Sequence, residues 1–72
     1  MSTDAPPPAE WGVLTARAWR ESQPGTPARI RVTFGVDRAD GTHVIRPQTV
    51  VVAGWDDLVA VIRKWYTAIE EP

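Results

Sequence analysis

The last third of the chain is the part that most restricts the fold. Trp55, Leu58, Val59, Ile62, Trp65, Tyr66 and Ile69 recur at spacings of three and four, which puts them on one stripe of an α-helix running roughly over residues 55–70. Gly54 ends the preceding segment, Asp56 and Asp57 place carboxylates at the positive end of the helix dipole, and Pro72 stops the helix. At about 1.5–3 kcal/mol per buried side chain the stripe is worth roughly 10–20 kcal/mol gross, so it has to lie on an apolar surface rather than in water. A chain of 72 residues holds one small domain, and residues 10–72 must supply that surface themselves. With no cysteine, neither a disulfide nor a thiolate metal site can reinforce it.

The surface is a sheet. In ARIRVTFGV, Ile30, Val32, Phe34 and Val36 alternate with Arg29, Arg31, Thr33 and Gly35, the signature of a strand with one buried face. WGVLTARAWR, residues 11–20, alternates as well, and the small apolar set Leu14, Ala16 and Ala18 suits the space beneath a helix. That orientation leaves Trp11, Val13, Arg17 and Trp19 on the opposite face, whereas a flipped strand would put Trp19 in the core and take the aromatic element from that face. Pro24-Gly25 marks a turn within the 21–28 connection, and Asp40-Gly41 reads as a two-residue type I′ hairpin. Counting outward from that hairpin pairs Val36 with Ile45, Phe34 with Pro47, Val32 with Thr49 and Ile30 with Val51, unless a bulge within the Val50-Val51-Val52 run shifts the register by one. Pro47 confines its strand to an edge, or divides it so that the sheet has four strands rather than three. The expected fold is α+β: a three-stranded antiparallel meander with one C-terminal amphipathic helix on one face, in the order β-β-β-α.

Residues 1–9, with Pro6, Pro7 and Pro8, read as a disordered tail with nothing to bury. Lacking a basic, apolar leader or a run of ~20 apolar residues, the chain is expected to be cytoplasmic, away from membranes. The net charge of −1 conceals a basic middle. Arg17, Arg20, Arg29, Arg31, Arg38 and Arg46 outnumber Glu21, Asp37 and Asp40 between residues 11 and 54, while both ends are acidic.

Catalysis finds little support. The one histidine, His43, has no cysteine or serine near it in sequence, and it reads most simply as a solvated strand residue. Asp56 and Asp57 diverge by about 100° on a helix and cannot converge on one centre. In DRADG, residues 37–41, Ala39 falls at a ligand position of a calcium loop, so the segment is a turn. No phosphate-binding glycine motif occurs. No enzyme activity, cofactor or metal is therefore expected.

What remains is the sheet face away from the helix. Arg17, Arg29, Arg31 and Arg46 are expected around Trp19, with Trp11 nearby. Arginine and tryptophan are the residues enriched at protein-interface hot spots. Trp11, Val13 and Trp19 together with Val44, Val50 and Val52 would form an apolar patch too large to leave in water. The layout resembles the MbtH-like partners of peptide synthetases, through Gly54-Trp55 and the helix containing Trp65, although the Ser-Leu-Trp-Pro segment of that family is absent. More loosely it resembles PUR and Whirly-type single-strand binding domains. The expected function is a non-enzymatic protein-interaction module that self-associates, as a homodimer, through this face. The alternative is binding of single-stranded nucleic acid by the same residues, at about 1–3 kcal/mol per stacked base.

Overall fold

The structure, a computed structural model, describes residues 8–70. Three antiparallel strands, β1 (Glu10–Trp19), β2 (Arg29–Arg38) and β3 (His43–Ala53), form one open sheet in the order β1-β2-β3, followed by helix α1 (Gly54–Glu70). The β-β-β-α order is the expected one, and the strand with Pro47 stays whole as an edge. Of the expected disordered tail, residues 1–7 lie outside the described residues. Ala9 is already tied in, its carbonyl accepting a hydrogen bond from the Ala39 amide at 2.9 Å. Pro72, the expected helix stop, also lies outside. Among the described residues no helix is long and apolar enough to cross a membrane.

One strand carries the core. Among the described residues Ile30, Val32, Phe34 and Val36 of β2 are the buried hydrophobic ones, and Leu14, Ile45, Val50, Val52, Leu58, Val61 and Trp65 pack against the cluster of Ile30, Val32 and Phe34. β2 alone is flanked on both sides within the sheet and roofed by α1, so its alternating apolar set reaches full burial. Trp65 is pinned by a hydrogen bond from its Nε1 to the carbonyl oxygen of Gly35 at 3.1 Å. Gly54, at φ 82°, turns β3 directly into α1, while its amide still bonds Ala28 at 2.9 Å.

Three expectations need correction. The hairpin is not type I′, because Gly41 has φ 90° but no non-glycine residue among those described has positive φ, which excludes Asp40 from the required conformation. The Arg38 amide instead donates to Thr42 O and the Gly41 amide to Arg38 O, at 2.8 and 3.0 Å, so three residues close the turn with glycine in the left-handed position. The Asp40 carboxylate accepts from Thr42 Oγ1 at 2.6 Å and from the Thr42 amide at 2.9 Å, which holds its pKa below the usual aspartate value.

The second correction is register. Val36 does face Ile45, but Phe34 faces Gln48, so Val32 pairs with Val50 and Ile30 with Val52. Arg46 and Pro47 together oppose Gly35, a bulge at the residue that cannot donate to the ladder. A Cβ on Gly35 would stand 3.2 Å from Pro47 Cα, so any larger residue there crowds the bulge. Val50 and Val52 consequently join the core and Val51 takes the open face. A second shift, between Val36 and Asp37, makes Val44 the extra residue. The apolar patch expected from Val44, Val50 and Val52 therefore does not form.

The third concerns rotation of the helix. Leu58, Val61 and Trp65 face the core, but Trp55 is 71% and Tyr66 53% exposed, and no residue of α1 is fully buried. The apolar side chains of α1 span an arc of about 180° at 100° per residue, and a flat sheet covers only part of so wide an arc.

Candidate interaction face

The open face of the sheet is built from rungs fixed by the register. Trp11, Asp37 and His43 form the first, and Val13 faces Gly35 with the bulge beyond it. Thr15, Thr33 and Thr49 form the third rung, Arg17, Arg31 and Val51 the fourth, and Trp19, Arg29 and Ala53 the last. Alternation along each strand puts these residues on the side away from α1. At one end, Arg17, Trp19, Arg29 and Arg31 gather on two adjacent rungs. Arg46 does not join them: it sits at the bulge opposite Gly35, six β2 residues or roughly 20 Å from the rung of Trp19. Trp11 likewise occupies the far end.

The charges within the cluster are unequal. Arg29 pairs with Glu21, Nε to Oε1 at 3.1 Å, an exposed contact of small energetic value. Arg17 and Arg31 are direct cross-strand partners and neither forms an ion pair among the described residues. Like charges placed opposite each other destabilise a sheet, so the fold gains nothing from this pair. Together with Trp19 they line an open slot of about 300 Å³. A second hollow, about 350 Å³, lies where Gly35 lacks a side chain and is walled by Val13, Thr15, Thr33 and Pro47. The Thr33 and Thr49 hydroxyls are hydrogen-bonded to each other at 2.9 Å, leaving a neutral band between the two hollows.

His43 belongs to the first rung, its Nδ1 paired with the Asp37 carboxylate. A carboxylate-oriented imidazole is half of a general-base arrangement, but the hydroxyl beside it, on Thr42, donates to Asp40. Among the described residues, no three histidine, aspartate or glutamate side chains converge as a metal site would require.

Sequence reading missed a second exposed surface, on the other side of the sheet. Ala16 and Ala18 lie on the α1 side of the sheet by alternation yet remain exposed, and Trp55 and Tyr66 are exposed on the helix. The usable signal was the width of the apolar arc, too great for one sheet contact. No family model matches this chain, and no curated protein or solved structure matches it significantly.

Proposed function

We propose that the protein is a non-enzymatic, cytoplasmic interaction module that acts as an oligomer and binds a protein partner through the open face around Trp19. The opposed, unpaired Arg17 and Arg31 beside an exposed indole carry this reading, since they weaken the sheet and find compensation in an acidic ligand. Apolar groups on the same face favour a protein. Val13, Val51 and Trp11 are 64%, 51% and 47% exposed, and the hollow at Gly35 accepts a side chain. The acidic pI of about 5.7 also sets the chain apart from dedicated nucleic-acid binders.

The test compares cytoplasmic proteins captured by the wild type with those captured by Trp19→Ala and by Arg31→Glu. A partner that binds this face is lost with both variants, and equal capture by all three refutes the reading. The slot between Arg17, Trp19 and Arg31 also fits single-stranded nucleic acid, with the base on the indole and phosphates on the guanidinium groups. Titration with single-stranded oligonucleotides separates the two. Saturable tryptophan quenching that fades at high salt and disappears in Arg31→Glu makes nucleic acid the ligand.

A further inference from the structure

The two edges of the sheet differ. β3 carries Pro47 and two register shifts, devices that blunt an edge, whereas β1 runs ten residues without proline or bulge. The bond from the Ala39 amide to Ala9 O fixes the phase of the β1–β2 ladder: odd-numbered residues of β1 bond inward. The amides and carbonyls of Gly12, Leu14, Ala16 and Ala18 therefore point outward.

Above that edge the helix face is incomplete. A Cβ on Gly12 would meet Ile69 Cδ1 at 2.6 Å and Trp65 Nε1 at 2.7 Å, so the end of α1 roofs the start of β1 while Ala16 and Ala18 stay bare. Ile69 also shows which flank of the helix lies toward β1, and on a helical wheel Ile62, Trp55, Tyr66 and Val59 continue round that flank in that order. A third observation is electrostatic. Glu10 Oε2, at the start of β1, is buried without a hydrogen-bond partner among the described residues.

We propose that a second copy of this chain pairs with β1, strand to strand and antiparallel, about a two-fold axis at Thr15. Leu14 then bonds Ala16 of the second copy and Gly12 bonds Ala18, using only outward-pointing groups, and the two sheets become one of six strands. Each Ala18 comes to lie beside the other copy's Gly12, so the Trp65 and Ile69 above that glycine cover the bare alanines. Continued one residue past the end of β1, the same register sets Glu10 opposite Arg20 of the second copy, giving the orphaned carboxylate a guanidinium at each end of the interface. Arg17 falls opposite Val13 and is spared its own copy, whereas stacking the open faces would press Arg17 and Arg31 onto themselves. A stable interface needs about 800 Å² per partner. From their exposed fractions Trp55 and Tyr66 offer roughly 300 Å², and the strand edge, both alanines, Val59 and Ile62 supply the remainder. The inference rests on the oligomer in the function proposed above and leaves the open face free for its partner.

The test is sedimentation velocity on the full chain over a range of concentrations. The wild type sediments as a dimer. Ala16→Pro deletes an outward amide and no β1–β2 bond, so it sediments as a monomer with unchanged circular dichroism. Glu10→Arg and Arg20→Glu each weaken dimerisation at least about tenfold, and the two together restore it to within a few-fold, a rescue that misfolding cannot imitate. A wild type that is monomeric at every concentration, a folded Ala16→Pro that stays dimeric, or charge reversals without rescue each overturn the proposal. Arg31→Glu keeps these failures apart from failure of the open-face reading, since it dimerises normally while losing the partner.

Discussion

Gly12 is where α1 comes closest to the sheet, and Gly12→Ala tests that packing. The added methyl meets two atoms of different compliance: Ile69 Cδ1 at 2.6 Å is the end of a flexible side chain, but Trp65 Nε1 at 2.7 Å belongs to a rigid ring held by the Gly35 carbonyl at 3.1 Å. Moving the ring costs about 1–3 kcal/mol of overpacking. Breaking its hydrogen bond costs about 0.5–1.5 kcal/mol more. Alanine returns about 0.5–1 kcal/mol through lower unfolded-state entropy, so the net loss is roughly 1–4 kcal/mol. In a domain of this size each kcal/mol lowers Tm by about 4–8 °C. Urea unfolding followed by circular dichroism, at fixed protein concentration, measures the effect, and a double-mutant cycle with Trp65→Leu assigns it. With the ring removed only Ile69 opposes the methyl, and Gly12→Ala becomes neutral or stabilising. The reasoning is refuted if Gly12→Ala is as stable as the parent, or if its cost is the same with and without Trp65.

Three further outcomes follow from the same geometry. Gly35→Ala sets a Cβ against backbone, 3.2 Å from Pro47 Cα and 3.3 Å from Ile45 O, and should destabilise by about 1–3 kcal/mol in thermal unfolding. Asp40, exposed and held below the usual aspartate pKa mainly by the Thr42 hydroxyl and then by its amide, supports the turn fully above the ordinary carboxylate range. That support is lost as pH falls through the lowered value, so the Thr42 amide shift in NMR should titrate with an inflection below that of free aspartate, and Asp40→Asn should abolish it. Val50→Ala should cost about 1–2 kcal/mol while Val51→Ala, on the open face, stays within about 0.5 kcal/mol; the reverse order would restore the unshifted register.

Periodicity made the element order legible. Strand β2 and helix α1 announce themselves by spacing alone, and alternation placed Arg17, Trp19, Arg29 and Arg31 on one face because each lies in a strand without a bulge. Arg46 escaped the same logic because its position depends on counting across Pro47, and the run Val50-Val51-Val52 reads equally well in either register. The bulge is decided by three-dimensional fit, with Gly35 making room and Val50 and Val52 gaining burial. Turn type was hidden for a similar reason. Asp40-Gly41 satisfies both geometries locally, and the choice turns on Thr42 bonding the Asp40 carboxylate. Helix rotation was the hardest to foresee, because an arc of about 180° offers several faces of nearly equal hydrophobicity, and the small side chains of β1 decide which one docks.

Those small side chains link stability to assembly. Ala16 and Ala18 are exposed on the α1 side of the sheet, Trp55 and Tyr66 are exposed on the helix, and among the described residues the four buried hydrophobic side chains all belong to β2. In the proposed dimer a second copy covers that surface, which couples folding to association. The unfolding midpoint of the wild type should therefore rise with protein concentration, by about 1.4 kcal/mol of apparent stability per tenfold. The midpoint of Ala16→Pro should not move. Replacing Ala18 with leucine separates the two uses of the space. If the site is solvent-facing in the functional state the larger side chain is tolerated, whereas a leucine placed where the partner's Trp65 and Ile69 must fit abolishes the concentration dependence.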